Sequence, residues 1–141
     1  MNPTPSELNV TYEIRDYNPE TDKSLIMASW LKGLYYGNSF FGMVEKDLFM
    51  NHYKQYLEVV LSKSTVKVAC LIEDKDTILG YSVLSPDFLV IHWIFVKKLF
   101  REKGIGKSLC PSHPKYFSHI TDGCKDLIPK LNGAVFNPFA L

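Results

Sequence analysis

The sequence predicts an α/β domain of the α+β kind, with helices packed on one sheet, and three observations predict it. Val10 to Tyr17 alternates Val10, Tyr12 and Ile14 with Thr11, Glu13 and Arg15, the period of two that a half-buried strand requires. Leu25, Ile26, Trp30 and Leu34 then recur at helical spacing. Phe88 to Val96 consists of β-branched and aromatic side chains broken only by His92, which reads as a central strand buried on both faces.

Length and composition set the frame for these elements. A chain of 141 residues suits one domain, here 10–141, after a lead-in at 1–9 whose two prolines and small polar residues predict disorder. Apolar content of 46% and charged content of 22% are ordinary globular values. The net charge of +1 argues against a nucleic-acid binder, whose domain would be clearly basic. No apolar run approaches a membrane span and Met1 to Asn9 lacks a signal-peptide pattern, so a cytoplasmic setting without membrane partners is expected. Cys70, Cys110 and Cys124 form no C-x-x-C pair and suit reduced thiols. Cys110, His113, His119 and Cys124 have zinc-ligating side chains, but their spacings match no zinc module and no metal is assigned.

Taken in order, Asn18-Pro19-Glu20 supplies the cap, first-turn proline and acid that open the first helix, and Gly37-Asn38 closes it. Ser39 to Gly42 is a short aromatic link. Val44 to Leu61 follows as a second helix, with Leu48, Phe49, His52, Tyr56 and Val60 near one stripe. Val66 to Glu73 and Thr77 to Ser85 are strands around the turn Asp74-Lys75-Asp76, and Pro86-Asp87 turns into the central strand. Beyond it, Gly104 to Cys110 opens a helix that Pro111 and Pro114 break after about two turns. Tyr116 to Thr121 is then a fifth strand, Asp122 to Asn132 a helix interrupted by Pro129, and Gly133 to Phe139 the last strand.

The loop after the central strand carries the chemistry. Gly104 and Gly106 lack Cβ atoms, so backbone N–H groups can approach an anion there, with Arg101, Lys103 and Lys107 adding positive charge. A Walker A loop would need glycine at Arg101, and a dinucleotide fingerprint would need it at Leu109, so both motifs fail. Arg101-x-x-Gly104-x-Gly106 directly after a hydrophobic strand instead resembles the acyl-CoA pyrophosphate signature of the GNAT superfamily of N-acyltransferases, over about Phe88 to Cys110. The trimmed helix after the loop makes the chain similar to short, phage-encoded members.

That resemblance implies a mixed, mostly antiparallel sheet of six to seven strands with about four helices, the third shortened. It implies acetyl-CoA or another acyl-CoA as co-substrate, and transfer of the acyl group to a primary amine of a small molecule or protein. Main chain near Ile94, Phe95 and Val96 would bind the pantetheine arm; Arg101, Glu102, Lys103, Gly104, Ile105, Gly106 and Lys107 would hold the pyrophosphate, with Asp122 touching coenzyme A. Tyr35, Tyr36, Phe40 and Phe41 would line the acceptor pocket, although the same aromatic residues equally suit packing of a helix pair on the sheet. His92 occupies the strand where many relatives carry a glutamate base, and its ordinary pKa suits proton removal at neutral pH. A buried structural histidine is the competing reading. The family's tyrosine acid falls on Pro129, which cannot donate a proton, leaving Tyr116, His119 and Cys124 as substitutes. A degenerate acyl-CoA-binding or protein-interaction module is the alternative function, and monomer and homodimer are both compatible with the sequence.

Overall fold

The computed structural model describes residues 11–122 and 133–140. The expected lead-in at 1–9, Cys124, Pro129 and the helix expected over Asp122 to Asn132 lie largely or wholly outside the described residues. Six strands, β1 (Tyr12–Asp16), β2 (Thr65–Leu71), β3 (Ile78–Leu84), β4 (Val90–Val96), β5 (Tyr116–Phe117) and β6 (Val135–Phe136), form one sheet in sequence order. β1 to β4 pair antiparallel, whereas β4 with β5 and β5 with β6 pair parallel. The helices are α1 (Pro19–Gly37), α2 (Ser39–Gly42), α3 (Lys46–Ser62) and α4 (Ile105–Leu109).

The first helix starts where its cap chemistry dictates. Asn18 Oδ1 accepts the Glu20 N–H at 3.1 Å, and Pro19 occupies the first turn, where its missing donor costs nothing. Asp22, buried in that turn, takes both guanidinium arms of Arg15 at 2.7 and 2.9 Å and the Asn18 N–H at 2.8 Å. One carboxylate thereby ties β1 to α1.

The sheet has a different core on each face. Ile26, Trp30 and Leu34 of α1 and Phe49, Leu57 and Val60 of α3 pack on Val66, Val68, Tyr81 and Val83. On the opposite face Ile105 and Leu109 of the five-residue α4 meet Ala69 and Leu79. Burying a side chain such as Leu57 or Val83 contributes about 1.5–3 kcal/mol, so the larger face carries most of the hydrophobic stabilisation. Among the described residues no helix is long and apolar enough to cross a membrane.

Three boundaries differ from the sequence reading. The strand expected from Phe88 begins at Val90: Phe88 sits at φ 62° in a turn, and both it and Leu89 are exposed. Nor is β4 buried throughout, since only Ile91 and His92 are; β3 is the strand whose every residue is buried. The strand expected over Tyr116 to Thr121 pairs only through Phe117, because the chain then leaves β4. The last strand is likewise short, stopping before Pro138, which has no N–H to extend the ladder.

Candidate active site

Two local irregularities shape β4. The first is a bulge. Val83 pairs with Trp93 and Leu84 with Ile91, so His92 has no opposite residue on β3. An extra residue of this kind kinks its strand and re-aims side chains. Ile91 accordingly packs with Leu84 and Phe117, while Trp93 and Phe95 pack with the α1 and α3 core.

The second irregularity is the open edge. β4 and β5 pair at Val90 with Tyr116 and Ile91 with Phe117, and the Ser118 N–H still reaches the Ile91 carbonyl at 3.0 Å. No β4–β5 pairing follows among the described residues. The Lys97 N–H donates to Leu79 and the Phe95 carbonyl faces Gly80, so these groups belong to the β3 side. Strand alternation then turns the N–H and C=O of Ile94 and Val96 toward the open edge. Phe95, expected to contribute main chain to the site, instead spends it on β3. The Val96 carbonyl accepts Arg101 Nε at 2.9 Å, so the arginine stem folds back over the strand end.

From there the chain enters the glycine loop. Glu102 at φ 64° and Gly104 at φ 82° are both left-handed, a conformation natural to glycine and strained for glutamate. No acceptor among the described residues takes the N–H groups of Glu102, Lys103 or Gly104. Those of Ile105, Gly106 and Lys107 lie in a first helical turn, where intrahelical partners do not exist. The loop is anchored at its far side: Tyr12 Oη lies 2.7 Å from Ser108 Oγ, which donates to the Gly104 carbonyl at 3.0 Å.

His92 is buried beside the point of divergence. Its Nδ1 lies 2.7 Å from Ser118 Oγ, and the same hydroxyl lies 2.8 Å from His119 Nδ1. Burial holds the His92 pKa below that of an ordinary imidazole, so the ring is neutral at pH 7. His119 is pushed further, to about 4, by burial and by the neighbouring His92. Trp30 and Tyr56 border the His119 ring at centroid distances of 5.5 and 6.2 Å. Trp93 stacks on Trp30 and occupies the space a Cβ on Gly33 would need, 2.5 Å from its indole.

The remaining candidates spread apart. Tyr116 pairs with Val90 at the closed end of the strand pair. Asp122 Oδ2 accepts the Ser39 N–H at 2.9 Å, at the start of α2. Tyr35 donates to the Val44 carbonyl at 2.8 Å and packs on Phe49, and Phe41 packs on Phe49 and Tyr53. Tyr36 and Phe40 are exposed. Phe40 and Phe41 do border a shallow apolar groove of about 390 Å³ with Leu48, His52 and Tyr53. Cys110 packs against Leu84, Ile91 and Phe117, on the opposite face from the rings around His119, and no group of metal-binding side chains gathers among the described residues. Ser118 was not marked by the sequence reading, because only the pairing of β5 with β4 brings its hydroxyl to His92.

The sheet and its flanking helices are similar in fold to solved structures of other proteins. An acetyl transferase assignment accompanies one such structure, from Pyrococcus furiosus, which aligns at TM-score 0.56 and 22% identity over 70% of this chain and 68% of that one. The chain has the GNAT fold. A GCN5-related N-acetyltransferase structure from Rhodopseudomonas palustris aligns at TM-score 0.49 and 17% identity, covering 89% of this chain and 68% of its own. YjaB from Escherichia coli aligns at TM-score 0.48 and 16% identity over 71% of this chain and 62% of its own. No family model matches the sequence, and no curated protein does.

Proposed function

We infer that the protein is an acyl-CoA-dependent N-acyltransferase, moving an acetyl or similar acyl group to a primary amine. The observation that carries the reading is the open edge of β4 beside the glycine loop. The N–H and C=O of Ile94 and the N–H of Val96 have no β5 partner among the described residues, and the amides of a pantetheine arm supply both donors and acceptors. The free N–H groups from Glu102 to Lys107, with Arg101, Lys103 and Lys107 around them, suit the attached pyrophosphate.

Transfer then needs three things of the chain: a base for the amine, a donor to the thioester carbonyl, and a proton for the departing thiolate. His92, neutral and placed where β4 and β5 part, serves as the base. The main-chain N–H of Ile94 serves as the carbonyl donor. The acceptor amine enters from the α1–α3 side, where the Trp30 and Tyr56 rings border His119.

Acetyl-CoA binding is tested by thermal unfolding. A ligand at a hundred times its Kd stabilises the fold by about 2.7 kcal/mol, a readily measured rise in midpoint. No rise at millimolar acetyl-CoA overturns the reading. The competing reading is a domain that binds acyl-CoA without turning it over. Thiol release with a panel of amines separates the two: release identifies an enzyme, and a stabilised but silent protein identifies a binder.

A further inference from the structure

A histidine of β4 and a histidine just beyond β5 meet at one hydroxyl. Ser118 Oγ lies 2.7 Å from His92 Nδ1 and 2.8 Å from His119 Nδ1, and both Ser118 and His92 are buried. Among the described residues no carboxylate or cation hydrogen-bonds to either ring; the neighbours of His119 are Trp30, Tyr56 and His92. The hydroxyl has one proton. It cannot donate to both rings, and if both rings donated to it, its own proton would be left buried without an acceptor. The low-energy arrangement is therefore directional: one ring is protonated at Nδ1 and donates to Ser118, and Ser118 donates to the Nδ1 of the other. The first ring then presents a basic Nε2 and the second an Nε2–H.

Resting on the acyltransferase reading, we propose that His92, Ser118 and His119 form a proton relay that joins the base and the acid of the transfer. His92 Nε2 takes a proton from the attacking neutral amine as its nitrogen bonds to the acyl carbon. The His92 Nδ1 proton passes to Ser118 Oγ, and the Ser118 proton passes to His119 Nδ1. The His119 Nε2 proton goes to the thiolate released as the carbon–sulfur bond breaks. One proton leaves the amine and one reaches the thiol, so the relay ends with the rings in reversed tautomers and neither charged. Ser118, which touches no substrate, is a positioning residue. The relay thereby gives His119 the acid role that the family resemblance places on a tyrosine at the position of Pro129.

The test has two arms. Long-range proton–nitrogen spectra of the imidazoles at pH 7.5, on the unliganded protein, should show one Nδ1–H and one Nε2–H ring for His92 and His119. In Ser118→Ala the pair should lose that opposition. In the second arm, Ser118→Ala should lower kcat about tenfold or more while the KM for acetyl-CoA holds, and Ser118→Thr, which keeps a hydroxyl, should recover most of the rate. Identical tautomers in the wild type overturn the relay, as does Ser118→Ala turning over like the wild type. If Ser118→Thr does not fold, the wild-type spectra still decide. A wild type that releases thiol with no amine overturns the transfer reading itself, a failure the spectra distinguish because they require no turnover.

Discussion

Arg15 with Asp22, and His92 with Ser118 and His119, are both polar clusters held inside the fold, yet they are built in opposite ways. Asp22 is saturated: two guanidinium bonds, the Asn18 N–H and the Thr21 hydroxyl surround its oxygens. Burial alone would raise its pKa, but the Arg15 bond, the Asn18 N–H and Thr21 outweigh it and hold the carboxyl below its ordinary value. The histidine cluster has no counter-charge among the described residues, so burial pushes both rings toward the neutral form. A saturated charge fixes one conformation and does no chemistry. A chain of neutral groups with a movable proton is suited to catalysis, at the cost of weaker anchoring.

Five substitutions sharpen that contrast. His92→Ala should have the largest effect on catalysis, lowering kcat per folded molecule by about 100-fold or more. Thiol release measures it beside a thermal scan that accounts for the stability lost with a buried ring. An unchanged rate would return His92 to a purely structural role. Asp22→Asn should do the reverse, costing about 3 kcal/mol of stability because the Arg15 charge loses its partner, with turnover per folded molecule retained. Chemical denaturation measures the loss.

The acid limb separates the clusters further. Asp22 binds its proton more weakly in the folded than in the unfolded chain, so its stabilisation is present at neutral pH. It is lost as pH falls below 3.8 through the folded-state value. His119 acts in the same direction at higher pH, its neutral form being favoured by folding, so stability declines between 6.5 and about 4. Asp22→Asn should flatten only the lower part of the profile and His119→Gln only the upper part. A shared response would show that the clusters are coupled. Gly33→Ala comes next, at about 2 kcal/mol, because the new methyl meets the Trp93 indole at 2.5 Å. Tyr81→Phe should cost least, about 1 kcal/mol, for the hydroxyl shared with Ser29 and the Ile26 carbonyl.

What the sequence made legible follows the range of the interactions. The start of α1 was readable because Asn18, Pro19 and Glu20 act within one turn, and the observed cap uses those residues. The loop glycine at Gly104 was readable because its left-handed φ is a local demand. Burial of β4 was misjudged since it depends on a neighbour: without β5 beyond Ile91, even Ile94 and Val96 stay half-exposed. The bulge at His92 and the approach of Ser118 are likewise set by pairing between strands. A lone histidine in an apolar run was their only trace in the sequence. Phe40 and Phe41 show the same limit, since aromatic density cannot distinguish a groove wall from helix packing: Phe41 does both, while the exposed Phe40 only borders the groove.

The most direct measurement is an amide proton–nitrogen titration with coenzyme A. Signals of Ile94, Val96 and Glu102 to Lys107 should move together and gain exchange protection, while Phe95, already bonded to β3, stays nearly still. Shifts confined to the groove around Phe40 and Tyr53, or no shifts at millimolar ligand, would contradict the assignment of the open β4 edge as the seat of the thioester.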